Sequence, residues 1–140
     1  MSLQRLHNLC VADLMTIDPC VISRHATVAE AEEAMAMNSV SGLPVVDELG
    51  ALVGVVSQTD LMYLTRPQVR SLMDRWETPL KVEEIMTSPP VTVRSTMSLE
   101  NAARVMTEHD VHRVVAVDRK GRPVGVLSAT DFVELVAAPD

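Results

Sequence analysis

The sequence predicts an α/β (α+β) chain: two β-α-β-β-α repeats packed through their sheets about a pseudo-twofold axis. Three observations predict it. The chain has 140 residues, 47% of them apolar, enough to bury a substantial core. Shifting it by 71 residues lays Val11–Leu61 on Val82–Phe132 without a gap, and 16 of those 51 positions are identical. Average residue usage would give roughly three. Within each copy, helical spacing of apolar residues alternates with short β-rich runs.

The elements follow in order. A brief strand at Cys20–Ile22, matched by Val91–Val93, precedes the first helix of each copy. Thr27-Val28-Ala29-Glu30 is a capping box, and Val28, Ala31 and Met35 form one apolar stripe behind it. In the second copy Ser98 is the cap and Leu99, Ala102 and Met106 the stripe, with Asn101 in place of the reciprocal acid. Leu43–Val46 and Leu52–Val56 then read as a hairpin around Asp47-Glu48-Leu49-Gly50, whose glycine suits the positive φ of a bulged turn. Val114–Val117 and Val124–Leu127 repeat it around Asp118-Arg119-Lys120-Gly121. A second helix follows from Thr59 or Thr130. Residues 8–65 thus form one repeat and 81–138 the other. Between them, 66–80 is a linker helix with Val69, Leu72, Met73 and Trp76 at helical spacing, packed on its own chain or against a second copy.

Composition excludes several functions. The net charge is −7 without a Lys/Arg run, and one Trp, one Tyr and one Phe offer almost nothing for bases to stack on. Nucleic acid is therefore not an expected partner. No stretch approaches the roughly 20 apolar residues of a membrane span, and the N-terminus lacks a signal-peptide core, so the reading is a soluble, cytoplasmic protein. Cys10 and Cys20 form neither a disulfide framework nor a CxxC site and read as partly buried thiols.

Catalysis finds no support. The four histidines (7, 25, 109 and 112) include no HExxH, Ser57 and Ser128 lie in no GxSxG elbow, and no Walker-type loop occurs. His109 reads as a helix-end residue rather than a metal ligand with Asp110 and His112, and Glu30, Glu32, Glu33, Glu83 and Glu84 read as solvated helix faces.

Two constellations carry chemistry. Ser57-Gln58-Thr59-Asp60 and Ser128-Ala129-Thr130-Asp131 each follow a glycine-containing strand. Ser-x-x-Asp is first of all a helix N-cap signal. The same junction presents free N–H groups and a positive dipole end that suit phosphate, while the carboxylate suits the paired hydroxyl donors of a ribose. Nucleoside phosphate is the ligand class that fits all of these groups. His112-Arg113 opens the strand Val114–Val117 and offers cationic donors for phosphate, or else is a solvated pair at a strand start. The first copy has Ser41-Gly42 there, so the duplication diverged at this point.

Taken together, the motifs resemble a tandem of cystathionine-β-synthase-type (CBS) domains, the Bateman module. The resemblance rests on Leu14-Met15-Thr16-x-x-Pro19 and Ile85-Met86-Thr87-x-x-Pro90, on Ser41-Gly42-Leu43-Pro44-Val45-Val46-Asp47 and His112-Arg113-Val114-Val115-Ala116-Val117-Asp118, and on the two Gly-Val-[Val/Leu]-Ser-x-Thr-Asp endings. It covers about residues 8–137. The resemblance implies a non-catalytic regulatory module that needs no cofactor or metal and binds an adenosine-containing ligand in clefts between the copies: AMP, ADP or ATP, with S-adenosylmethionine or an NAD-type molecule as further candidates. It implies that Asp60 and Asp131 hold ribose hydroxyls, with Ser57, Thr59, Ser128 and Thr130 near ribose or phosphate. Thr16, Val21, Thr87 and Thr92 would line the adenine pocket, and His112-Arg113 would contact phosphate. Ser41-Gly42 leaves its corresponding position without a cation, so the two sites are not expected to bind polyphosphate equally. A homodimer and a separate effector protein are the implied partners, unless the chain is a fragment of a longer one. A ligand-free dimerisation scaffold is the alternative.

Overall fold

The computed structural model describes residues 6–64 and 79–138. The linker helix expected over 66–80 lies outside them except for Pro79 and Leu80, which are not helical. The described chain is mixed α and β and divides into two compact units. One combines the residues up to Pro19 with those from Val91 onward, and the other runs from Cys20 to Pro90.

The Cys20–Pro90 unit carries β2 (Ile22–Ser23), α2 (Val28–Asn38), β3 (Gly42–Val46), β4 (Leu52–Ser57), α3 (Gln58–Tyr63) and a 3-10 turn at Val82–Glu84. Its sheet runs β2-β3-β4, with β2 parallel to β3 and β3 antiparallel to β4. The other unit carries α1 (Val11–Leu14), β1 (Thr16–Ile17), β5 (Thr92–Arg94), α4 (Leu99–Glu108), β6 (Arg113–Val117), β7 (Pro123–Ser128) and α5 (Ala129–Ala137). Its sheet runs β1-β7-β6-β5 in the same sense.

Local chemistry accounts for these elements. Thr27 Oγ1 accepts from the Glu30 N–H at 3.1 Å while Glu30 accepts from the Thr27 N–H at 3.1 Å, which opens α2. Ser98 accepts from the Asn101 N–H at 3.1 Å and opens α4 without a reciprocal acid. Both hairpins turn on an aspartate. Asp47 Oδ1 accepts from the N–H groups of Leu49 and Ala51, and Asp118 Oδ1 from those of Lys120 and Arg122, while Gly50 and Gly121 take φ of 83° and 78°. The Asp118 carboxyl is held below its ordinary pKa, chiefly by the Arg122 N–H. The strands extend a residue or so beyond the expected runs, and the short strands start at Ile22 and Thr92, later than expected. The second helices begin at Gln58 and Ala129, one residue early.

Each core repeats the other at the 71-residue offset, with one exchange. Ala31, Met35, Leu43 and Val56 are buried with Val82; Ala102, Met106, Val114 and Leu127 are buried with Val11. Val82 and Val11 belong to the lead-in segments, which we term straps, and each strap packs on the body of the other sequence copy. The Val82 N–H donates to the Ala26 carbonyl at 2.8 Å and the Val28 N–H to the Leu80 carbonyl at 2.9 Å. Likewise the Val11 N–H donates to Met97 at 2.8 Å and Leu99 to Leu9 at 3.0 Å. The described packing units are therefore not the copies visible in the sequence.

Met-Thr in each strap explains the glycine of the Gly-Val strand it meets. A Cβ on Gly54 would lie 2.9 Å from Met86 Cγ and 2.9 Å from the Thr87 carbonyl oxygen. One on Gly125 would lie 2.7 Å from Met15 Cγ. Only glycine admits the strap at this distance. Gly54→Ala, which must push back the Thr87 backbone, is expected to cost about 1–3 kcal/mol. The check is the midpoint of urea unfolding, and an unchanged midpoint would contradict the packing of strap on strand.

Candidate functional site

The same local site is built in both units. In the Cys20–Pro90 unit, β4 runs through Val55 to Ser57 and turns directly into α3. Ser57 Oγ accepts from the Asp60 N–H at 3.4 Å, and Asp60 Oδ2 accepts from the Ser57 N–H at 2.8 Å and the Ser57 hydroxyl at 3.1 Å. In the other unit Ser128 Oγ accepts from the Asp131 N–H at 3.3 Å, and Asp131 Oδ2 from the Ser128 N–H at 2.8 Å. The N-cap expected from Ser-x-x-Asp is present in both copies.

The cap leaves groups over. These capping bonds fall on Oδ2 of each aspartate, and Oδ1 lies outside them. The first N–H of each helix is taken by a carbonyl: Gln58 donates to Ser41 at 2.9 Å, Ala129 to His112 at 2.8 Å. The third is taken by the serine. Between them stand the N–H groups of Thr59 and Thr130, outside the capping scheme, on residues that are exposed. Each junction thus offers a half-buried carboxylate oxygen, a threonine hydroxyl and a helix-start N–H within one turn of chain.

The straps complete the arrangement. Thr87 exchanges backbone hydrogen bonds with Val55, at 3.1 Å and 2.9 Å, two residues before Ser57, and Ser88 Oγ donates to the Val53 carbonyl at 2.9 Å. Thr16 pairs with Val126, two residues before Ser128. Both threonines are exposed. The structure therefore lays Thr87 on the strand that ends at Ser57 and Thr16 on the strand that ends at Ser128, pairing each strap with the strand that leads into the Ser-x-Thr-Asp ending of the other copy.

The remaining candidates sort between the units in the same way. Val21 lies beside β2, and Ser41 and Gly42 lead into β3, where Gly42 is paired with Ser57. Thr92 starts β5 opposite Val115, and Arg113 starts β6 opposite Ser128. His112 and Arg113 thus share a unit with Thr16, Thr92, Ser128, Thr130 and Asp131, and both are exposed. An open hollow of about 350 Å³ on the α4–α5 side of that unit is lined by Met106, Thr107, Asp110, His112 and Phe132, among others, but not by Arg113 or Asp131. His109 caps α4, with Nδ1 2.9 Å from the Val105 carbonyl, as a helix-end residue should.

Sequence reasoning missed two things. It assigned no strand to Thr16–Ile17, where two residues carry no periodic signal. It also read Glu83 as part of a solvated helix face, whereas Glu83 sits on the 3-10 turn, half-buried and paired with Arg24 Nε at 2.8 Å. Among the described residues no cluster of three or more His, Cys, Asp or Glu side chains is placed to hold a metal ion, and no helix is long and apolar enough to cross a membrane.

The model of the CBS domain matches this sequence twice, over residues 11–65 and 82–138. The chain belongs to the CBS-domain family. Among curated CBS proteins it is similar to YhcV of Bacillus subtilis, 32% identical over 122 residues, covering 87% of this chain and 81% of that protein. It is also similar to chloroplastic CBSX2 of Arabidopsis thaliana, 31% identical over 134 residues, covering 81% of this chain and 56% of that one. Inosine-5'-monophosphate dehydrogenase of Bifidobacterium longum is 31% identical over 127 residues, but this chain spans only 22% of its length. Solved CBS pairs superpose closely. CBSX2 in complex with AMP has a TM-score of 0.77 at 34% identity, covering 90% of this chain and 94% of that one. The CBS pair of protein MJ0100, in complex with 5'-methylthioadenosine and S-adenosyl-L-methionine, has a TM-score of 0.78 at 25% identity, covering 90% and 94%.

The serine and the threonine of the Asp131 junction separate cap from leftover groups. Ser128→Ala removes the cap acceptor and is expected to cost about 1 kcal/mol, whereas Thr130→Ala should stay within about 0.5 kcal/mol. Denaturant unfolding of the two variants checks this. Equal losses would contradict the assignment.

Proposed function

We propose that this CBS pair is a non-catalytic regulatory module that binds an adenosine-containing ligand of the AMP, ADP or ATP class, with S-adenosylmethionine- or NAD-type molecules as further candidates. The observation that carries the reading is the repeated junction in which an aspartate caps its helix through Oδ2 and keeps Oδ1 for another donor. The 2'- and 3'-hydroxyls of a ribose are a matching pair of donors. The ligands of the solved relatives support this choice. AMP carries a phosphate, S-adenosyl-L-methionine a sulfonium, and 5'-methylthioadenosine neither, so what the three share is the base and the ribose diol.

In this reading Asp131 and Asp60 accept from ribose, Thr16 and Thr87 flank the base with Thr92 and Val21, and Ser128, Thr130, Ser57 and Thr59 lie near ribose or phosphate. His112 and Arg113 give the Asp131 site a phosphate contact, and Ser41-Gly42 gives the Asp60 site none. Occupancy signals because a ligand shifts a packing equilibrium by its differential affinity for the two arrangements. A second copy of the chain is the expected partner, through helix faces that expose Met62 and Val133, equivalent positions 68% and 66% accessible. An effector protein then reads the change. The dehydrogenase relatives do not lend a catalytic activity, since the likeness is confined to the CBS region.

Calorimetric titration tests the assignment. Asp131→Asn keeps a side-chain acceptor for the cap but loses a charged acceptor for the diol, and is expected to weaken AMP binding by about 10- to 100-fold, the equivalent of one charged hydrogen bond. Arg113→Ala should weaken AMP binding about tenfold and leave 5'-methylthioadenosine unaffected, because only AMP presents a phosphate. A stable, folded protein indifferent to every adenosine ligand would instead make the module a dimerisation scaffold.

A further inference from the structure

The two straps dock through the same backbone bonds but carry different ion pairs: in the other unit His7 Nδ1 lies 2.9 Å from Glu100 Oε2 at the start of α4, and in the Cys20–Pro90 unit the charges form a larger cluster. In the Cys20–Pro90 unit, Arg24 Nε donates to Glu83 Oε2 at 2.8 Å, and the Glu83 N–H donates to the Arg24 carbonyl at 3.1 Å. His25 extends the pair: its Nε2 meets Glu48 on the hairpin loop, and its Nδ1 lies 3.9 Å from Glu83 Oε1. Each partner favours the other's charged form. The bond from Arg24 holds the Glu83 carboxyl below its ordinary range, and the bond to Glu83 raises Arg24. Glu48 is held low by His25 in the same way.

The equivalent positions of the other unit are Ser95, Thr96, Arg119 and Ala12. None of the four can reproduce the cluster, although the backbone bond survives as Ala12 N–H to the Ser95 carbonyl at 2.9 Å. There the strap instead forms a true strand, β1, with two residues in register on β7. The strap of the Cys20–Pro90 unit meets its strand through the isolated bridge Thr87–Val55 and the Ser88 Oγ bond to the Val53 carbonyl.

We propose that Arg24, Glu83, His25 and Glu48 are positioning residues that hold the strap carrying Thr87 on its strand, and so make ligand affinity at the Asp60 site depend on the Arg24–Glu83 pair and on the ionic strength that screens it, a dependence on Arg24 that the Asp131 site does not share. The inference rests on the adenosine-binding reading above. The pair is neither buried nor fully exposed, with side chains 35% and 27% accessible, so added salt reaches it. A strap that is docked only part of the time multiplies the intrinsic affinity by the docked fraction.

The test uses 5'-methylthioadenosine, an uncharged probe whose own contacts are not screened, titrated calorimetrically into the full chain. Asp131→Asn protein reports the Asp60 site and Asp60→Asn protein the Asp131 site. In the Asp131→Asn background, Arg24→Ala is expected to weaken binding about 3- to 10-fold, as a docked fraction of about 0.1–0.3 requires. It should also abolish the loss of affinity otherwise produced by raising salt. The charge-exchanged pair Arg24→Glu/Glu83→Arg should restore both affinity and salt response, which a general loss of stability would not allow. In the Asp60→Asn background Arg24→Ala should change nothing. Asp60-dependent binding indifferent to Arg24, or equal weakening at both sites, would overturn the positioning role alone. Binding that depends on neither aspartate would overturn the reading beneath it.

Discussion

The docking of each strap on the opposite copy's body is the interaction on which the remainder depends. It supplies Val11 and Val82 to cores that the copies cannot fill from their own residues, it satisfies the backbone groups that lead into α2 and α4, and it lays Met-Thr across a glycine. A body of about 50 residues has too little interior to be comfortable alone. A strap of about ten residues adds one more buried valine, one more strand edge and a second layer over the glycine, at the cost of ordering a short segment. The same segment delivers a threonine to the end of the strand where the Ser-x-Thr-Asp junction begins. Stability and site are thus built by one contact.

The junction shows how a structural motif and a binding motif share residues. A capping box needs the serine oxygen and one carboxylate oxygen. It does not need the second carboxylate oxygen, the threonine hydroxyl or the N–H between the capped positions. Those three groups are what a nucleoside with a ribose diol and a nearby phosphate can use. The cap fixes their geometry before any ligand arrives, which lowers the cost of binding. Divergence then acts on the neighbouring strand start, where Arg113 faces Ser128 in one unit and Gly42 faces Ser57 in the other.

Much of this was legible in the sequence, for physical reasons. Thr27-x-x-Glu30 and the Ala31–Met35 stripe report a helix because capping and burial act at fixed short spacings. The Asp-x-x-Gly loops report a hairpin because the aspartate and the positive-φ glycine are both local devices. What the sequence did not disclose is non-local. Nothing in Met15-Thr16 says which body it will lie on, since both bodies present the same Gly-Val strand. Glu83 looked like a solvated acid because its partner, Arg24, lies 59 residues away. The fold was readable from repetition, and the candidate residues from motif; their grouping into sites needed the strand register.

Hydrogen exchange on the wild-type and Asp131→Asn proteins, with and without saturating AMP, tests that grouping most directly. AMP is expected to slow exchange at residues 15–17 together with 126–131, and Asp131→Asn should abolish both effects while leaving the response at 86–88 intact. Loss of protection at 86–88 with 15–17 still protected would contradict the account, because it would join each strap to the site of its own sequence copy.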